Sequence, residues 1–381
     1  MKKIGILVPS LQGNGACKVP AIHSIMFYDD GFDVEIITEY GEPIFPYKGK
    51  LTQLNIKKRK GILKFLSLFQ LIIKLRKIKA KNKYDFFISH TPHCDIANAL
   101  TKGSETVITT VHNNIEKCYS KFIKLLFPIV IKKSDLVIVV SKKIETILHK
   151  QYGNKDKIIC IYNPIDFSLV SKLSTDNLPS HLNNKKFILN VGRLDTQKGQ
   201  WHLIKAFSLL VDKYPDLYLV IIGEGNKKDE LIQLSNKLEI SDKIYFEGFQ
   251  DNPYSYMKNA SAFILPSLFE GLPLVLIEAM YCKTPIIATD CISGPKELLV
   301  HHGVKSGYLI PDNAKLEQLT TTDINSFDHL IADKIIEIFN DKDETDRIIN
   351  NAFLRTIDFS LNEILTSWKK VFSYYEKINK K

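Results

Sequence analysis

Two acids and two cations carry the chemistry most legible in this sequence. The acids lie in Pro266-Ser267-Leu268-Phe269-Glu270-Gly271-Leu272-Pro273-Leu274-Val275-Leu276-Ile277-Glu278-Ala279-Met280. A carboxylate accepts hydrogen bonds from paired hydroxyls, so Glu270 suits a sugar and Glu278 another hydroxylated part of a ligand. Their spacing does not put both on one helical face: Glu270 falls at a strand-to-loop exit and Glu278 inside a helix beginning near Pro273. A charged Glu278 between Leu276, Ile277, Ala279 and Met280 is costly to bury without a partner. A structural cap or a salt bridge explains each acid equally well. The cations lie in Gly192-Arg193-Leu194-Asp195-Thr196-Gln197-Lys198-Gly199, directly after an apolar run. A guanidinium fork and a flexible ammonium there can converge on a diphosphate. A solvated pair is the alternative.

Other chemistries lose their warrant. Gly13-Asn14-Gly15 offers close approach to an anionic ligand, but Lys18 occupies the third glycine position of GxGxxG. No GxxxxGK[ST] loop occurs, so nicotinamide-binding and P-loop ATPase readings lose their main warrant. Cys17, Cys94, Cys118, Cys160, Cys282 and Cys291 form no CxxC pair and read as ordinary thiols in a reducing compartment. Cys17 reads as packing beneath the first loop rather than as a nucleophile. His301-His302 lack a complete ligand set, and no metal is expected. His112 ends a strand, where it can cap or act; His23, His90 and His93 are weaker candidates.

The elements that must position these groups alternate. Short apolar strands are expected at 4–8, 34–38, 84–89, 106–111 and 135–141, then at 187–191, 217–222, 262–265 and 285–288. Segments of helix length separate most of them, with helices expected from Val19, over 201–211 and from Pro273. Such alternation predicts α/β domains with parallel sheets. The expected division is a first Rossmann-like domain over 1–166, completed by a C-terminal helix 361–381, a polar linker 167–186, and a second domain over 187–360.

The formal net charge is +10, yet 13 Lys or Arg and no acid lie between Glu42 and Asp85; without them the chain would carry −3. The protein is nearly neutral with one basic region, which lacks a nucleic-acid-reading motif. No apolar run of membrane-spanning length occurs, and the N-terminal apolar segment before Pro9 is short for a signal peptide. A cytoplasmic protein is expected.

With Gly192-Arg193, Lys198-Gly199, Gly223-Glu224-Gly225, Gly248-Phe249, Glu270 to Glu278 and Pro285-Ile286-Ile287-Ala288-Thr289-Asp290 in this order, the chain resembles the retaining glycosyltransferases of family four. Val111-His112-Asn113 and Tyr162-Asn163-Pro164-Ile165-Asp166 also fit. The resemblance is densest over 187–312 and implies a GT-B architecture, two Rossmann-like domains facing across a cleft. It further implies that Arg193 and Lys198 bind the diphosphate of a UDP-sugar, Glu270 the sugar hydroxyls and Glu278 the ribose. Gly15, Phe249, Gly271 and Leu272 would complete donor binding, with Phe249 at the base. His112 would face the reacting sugar; His112, Arg193, Lys198 and Glu270 form the implied catalytic set. Asn14-Gly15-Ala16-Cys17-Lys18 departs from the family's usual Gly-Gly-Ala-Glu/Gln-Arg loop. Ser293-Gly294-Pro295-Lys296-Glu297 resembles members using galactose-like or N-acetylated UDP-sugars.

The implied activity is transfer of a hexose or N-acetylhexosamine from a UDP-sugar, with retention, to a hydroxyl of a cell-surface polysaccharide or lipid-linked oligosaccharide precursor. No cofactor is implied; the family does not require a metal motif, and the UDP-sugar is substrate. The other readings are a sugar-nucleotide epimerase of the same fold and a catalytically inactive glycan-assembly scaffold. The basic segment 57–83 reads either as a surface for an anionic membrane, on the inner face of the cytoplasmic membrane, or as a helix packed internally.

Overall fold

The computed structural model describes residues 1–13, 15–57, 59, 64–153, 155–312 and 321–379. The chain divides into two compact units, Met1–Ile165 with Phe359–Lys381, and Asp166–Asp358. Both are Rossmann-like.

Unit 1 is built on β1 (Lys3–Val8), β2 (Asp33–Thr38), β3 (Lys50–Gln53), β4 (Phe86–His90), β5 (Thr106–Val111), β6 (Leu136–Val139) and β7 (Ile158–Cys160). Its sheet runs β3-β2-β1-β4-β5-β6-β7, and its paired strands are parallel. Every residue of β4, β5 and β6 is buried, as expected for a sheet covered on both faces. Val8 pairs with Thr38 on one side, and Leu7 with Ser89 on the other. The chain therefore leaves β1, β2 and β4 at one common edge.

Unit 2 contains β8 (Lys186–Val191), β9 (Leu217–Ile222), β10 (Ile244–Gly248), β11 (Ala262–Leu265), β12 (Ile286–Thr289), a short antiparallel hairpin of β13 (Val300–His301) and β14 (Val304–Lys305), and β15 (Tyr308–Ile310). The main sheet runs β10-β9-β8-β11-β12-β15. Its core gathers Ile188, Leu219 and Ile264 from the strands with Trp201, Leu203 and Phe207 from the helix Gln200–Ser208.

The C-terminal helix Leu361–Asn379 belongs to unit 1. Trp368 lies 5.4 Å from the Phe27 ring, and Phe372 lies 4.5 Å from that of Phe86. The stretch read as a linker, 167–186, is built into unit 2: it carries the helix Phe167–Leu173, and Phe167 stacks 4.4 Å from Tyr281. The first helix starts at Gly15 rather than near Val19 and contains Pro20. Pro20 is the sixth residue of this helix, so its missing N–H removes the bond to the carbonyl of residue 16, and the helix nonetheless continues to Asp29.

The basic segment forms the helix Lys64–Asn82, which packs one side internally; positions 58 and 60–63 lie outside the described residues. Leu68, Leu71 and Leu75 are buried, while Phe65, Leu66, Phe69 and Ile73 are exposed. Lys79 turns inward: its ammonium lies 2.7 Å from Glu105 and 2.7 Å from Asn98 Oδ1. Burial pushes it down to about 8 against the opposing pull of Glu105.

Candidate functional site

In an open parallel sheet, ligands bind beyond the carboxyl ends of the strands where the strand order reverses. Unit 2 reverses between β8 and β11, and unit 1 between β1 and β4. The loops at these points are Gly192–Gly199 and Pro266–Pro273 in unit 2, and the segments from Pro9 to Gly13 and from Thr91 onward in unit 1.

The two loops of unit 2 are locked together. Leu268 N–H donates to the Gln197 carbonyl at 2.9 Å, and Gln197 Nε2 donates to the Phe269 carbonyl at 2.9 Å. Gly199 has φ of +63°, and a Cβ there would lie 2.3 Å from the Pro266 carbonyl oxygen; only glycine permits this approach. Below the loops, Asn190 Nδ2 donates to the Ile264 carbonyl (2.7 Å), and Gln200 Nε2 to the Arg193 carbonyl (2.9 Å). Both side chains are buried, so they fix the backbone from which the cations project.

On this platform Lys198 Nζ lies 2.6 Å from Glu270 Oε1, with side chains 14% and 6% exposed. Gln197 Nε2 reaches Glu270 Oε2 at 3.5 Å, and Arg193 donates to Gln197 Oε1 at 3.2 Å. Arg193 also faces Asp195 at 3.1 Å, its side chain 55% exposed. Arg193, Gln197, Lys198 and Glu270 thus form one connected group from two loops. By sequence alone, Lys198 and Glu270 belong to different parts of a ligand, and Gln197 carries no signal. In the structure they pair directly, and the ammonium keeps two further protons for other acceptors. Behind Glu270, Ser293 Oγ donates to its carbonyl oxygen. Gly294 sits against the Gly271 carbonyl, and Leu272 is buried.

Glu278 stands apart, in the helix Leu274–Tyr281, where Tyr254 Oη donates to its Oε1 at 3.2 Å. It is buried, and this hydroxyl answers part of the burial cost expected from its apolar neighbours. Phe249 follows β10 and is exposed. All six cysteines are free thiols. Burial, with Glu278 second, pushes Cys282 up to about 12; burial, with Glu270 second, raises Cys291. Neither thiol is ionised near neutral pH. Among the described residues, no group of three or more His, Cys, Asp or Glu side chains could hold a metal ion.

In unit 1, Gly15 opens the first helix, and Cys17 packs into the core below it. His112 follows β5 and is buried, its Nε2 2.9 Å from His90 Nδ1. His23 lies beyond His90, with ring centroids 5.3 Å apart. Burial pushes His112 down to about 4, and burial, with His112 second, pushes His23 down to about 3; His90 is lowered too. An unfolded chain would protonate these rings below their ordinary value of about 6.5, whereas the folded unit refuses the proton until far lower pH. Their contribution to stability is therefore fully present above pH 6.5 and lost as pH falls towards 4, at up to about 1.4 kcal/mol per pH unit for each ring. Urea unfolding followed by Trp368 fluorescence in a Trp201→Phe background should show this acid loss. His23→Phe should flatten it by about one proton; an identical slope in both proteins would refute the assignment.

The family described as Glycosyltransferase Family 4 matches residues 27–169, and that described as Glycosyl transferases group 1 matches 176–355. An uncharacterised glycosyltransferase of Methanocaldococcus jannaschii is 30% identical over 355 residues, covering 84% of this chain and 87% of the relative. The chain belongs to the family-four glycosyltransferases. A second relative of this glycosyltransferase is the N-acetylgalactosamine-N,N'-diacetylbacillosaminyl-diphospho-undecaprenol 4-alpha-N-acetylgalactosaminyltransferase of Campylobacter jejuni. It is 32% identical over 315 residues, covering 78% of this chain and 83% of the relative. Among solved structures, HepE of Anabaena, crystallised with UDP and glucose, aligns with a TM-score of 0.77 at 20% identity over 98% of this chain and all of HepE. The sucrose-phosphate synthase of Thermosynechococcus elongatus aligns with a TM-score of 0.81 at 18% identity, over 99% of this chain and all of that one. At these identities the likeness concerns the fold, which is GT-B.

Proposed function

We propose that this glycosyltransferase moves a hexose or N-acetylhexosamine from a UDP-sugar to a hydroxyl of a cell-surface polysaccharide or lipid-linked oligosaccharide precursor, with retention of configuration. The observation that carries the donor half is the Lys198–Glu270 pair at the strand-order reversal of unit 2. Lys198 and Arg193 take the diphosphate, Glu270 the sugar hydroxyls, and Glu278 the ribose. Phe249 lies at the base, and the backbone of Gly271 and Leu272 flanks the donor. From unit 1, Gly15 gives close backbone approach and His112 a hydrogen bond to the reacting sugar. In the transfer, the acceptor oxygen bonds to the anomeric carbon, the bond from that carbon to UDP breaks, and a donor phosphate oxygen takes the acceptor proton. Arg193 and Lys198 stabilise the departing charge. No protein nucleophile is required, in keeping with the un-ionised Cys282 and Cys291.

The acceptor class follows the Campylobacter jejuni relative, whose name specifies a diphospho-undecaprenol-linked substrate. Incubating UDP-galactose, UDP-glucose, UDP-N-acetylglucosamine and UDP-N-acetylgalactosamine with lipid-linked oligosaccharide acceptors should give one α-linked product, identified by linkage analysis. Isomerised UDP-sugar without transfer would instead mark an epimerase, and binding without turnover a scaffold.

Attachment to an anionic membrane belongs to the same reading. Phe69 is 63% exposed on the basic helix, and Leu125 is 74% exposed on a second helix, Lys121–Lys133. The two helices meet where the Phe65 and Phe122 rings lie 4.3 Å apart, tilted by 54°. Exposed apolar side chains flanked by Lys121, Lys132 and Lys133 suit an interfacial surface. Among the described residues, no helix is long and apolar enough to cross a membrane. Phe69→Asp with Leu125→Asp should weaken flotation on phosphatidylglycerol vesicles at least about tenfold relative to wild type. Equal flotation of both proteins, or equal flotation on phosphatidylcholine alone, would remove the membrane from the proposal.

A further inference from the structure

Three imidazoles, from three separate elements, stand in a row inside unit 1. His112 follows β5, His90 ends β4, and His23 lies in the helix Gly15–Asp29. The His112 and His90 rings stack with centroids 5.1 Å apart; the His23 ring follows at 5.3 Å and meets Trp368 of the C-terminal helix at 5.2 Å. Among the described residues no carboxylate lies within ion-pair distance of these rings; the histidine–acid contacts there involve His93, His181 and His202. Both nitrogens of His23 and Nε2 of His90 are buried and have no hydrogen-bond partner among the described residues. Among the described residues, the bond between His90 and His112 is thus the one side-chain hydrogen bond that orders the row.

That bond joins His112 Nε2 to His90 Nδ1 at 2.9 Å, and one of the two nitrogens must carry the proton. If His112 Nε2–H donates, both rings hold the Nε2–H form that an isolated imidazole prefers. The reverse direction requires the less favoured Nδ1–H form in both rings at once. We infer that His90 is a positioning residue for His112: by accepting the Nε2–H, it fixes the ring plane and tautomer and leaves Nδ1 as a bare acceptor for a sugar hydroxyl. The tautomer of one histidine nitrogen is set by what the other nitrogen meets. His23, packed behind His90, brings no charge to the row. Burial keeps all three rings neutral, so Nδ1 of His112 stays unprotonated across the working range.

This inference rests on the proposed contact of His112 with the reacting sugar, so its test has one arm that needs no substrate. Two-bond nitrogen–proton correlation spectra of the full chain, labelled with ¹⁵N-histidine, should show His112 as the Nε2–H tautomer with a bare Nδ1, unchanged down to about pH 5.5. In His90→Phe the His112 signals should become a mixture of tautomers. His112 as Nδ1–H in the wild type, or an unchanged tautomer in His90→Phe, would overturn the inference. In the kinetic arm, His90→Phe should lower kcat about 10- to 100-fold while the donor KM moves less than about twofold, because only orientation is lost. The Oδ1 of an asparagine can accept where Nδ1 of His90 does, so His90→Asn should recover at least about tenfold over His90→Phe. Equal rates in the two variants would reduce His90 to a packing role. Full turnover in His112→Phe, with the wild-type ring states as inferred, would remove His112 from the sugar and sink the functional reading while leaving the hydrogen bond in place.

Discussion

Lys198→Met is expected to lower kcat/KM for sugar transfer by about 10²–10³-fold, the size of effect seen when one group stabilising a developing anion is lost. Two consequences of the 2.6 Å pair combine in this result. The departing diphosphate loses a cation, and Glu270, nearly buried, loses its counter-charge. Leaving a buried partner uncompensated costs about 3–5 kcal/mol. Part of the loss should therefore appear as weakened unit 2, measurable by urea unfolding. Glu270→Gln alone should reduce turnover by about 10²-fold, since the amide keeps the shape but not the charge. The double variant should fall well short of the sum, because both residues share one interaction. Full turnover in Lys198→Met, Glu270→Gln and Arg193→Ala together would reject the site.

The second large effect comes from a residue with no side chain. Gly294 has φ of +91°, and a Cβ on it would lie 2.6 Å from both the Gly271 carbonyl oxygen and Pro273 Cδ. Gly294→Ala must push the Glu270–Pro273 loop away. We expect a stability loss of about 2–4 kcal/mol from backbone strain and overpacking, and about a 10²-fold fall in turnover as Glu270 is displaced. Gly303 supplies the control: its φ is +80°, but a Cβ there would meet nothing within 4 Å. Gly303→Ala should cost about 1–2 kcal/mol and leave turnover intact. Equal turnover losses in both variants would show that strain, and not loop displacement, is responsible.

The strands with unbroken apolar runs were legible because a sheet covered on both faces demands them; Leu136–Val139 and Leu217–Ile222 are examples. The edge strand Lys50–Gln53 was not, because KLTQ has one apolar residue and its register is set by pairing with β2. Tyr308–Ile310 is three residues long and owes its place to β12. The site divides in the same way. Arg193, Lys198 and Glu270 announce themselves by type and loop context. Gln197, Tyr254 and Ser293 matter through whom they meet, across 73, 24 and 23 positions of chain. His90 was visible as a histidine, but its partnership with His112 arises from adjacent strands and has no signature in spacing.

The return of residues 359–379 to unit 1 has a consequence for synthesis. A ribosome delivers the strands of unit 1 first, but the Trp368 and Phe372 that pack against Phe27 and Phe86 emerge last. Unit 2 is one continuous segment and has all it needs before then. Domains generally fold in the order they are made; here the nascent first sheet, with one hydrophobic face waiting for its final helix, must stay unfinished while the later unit closes.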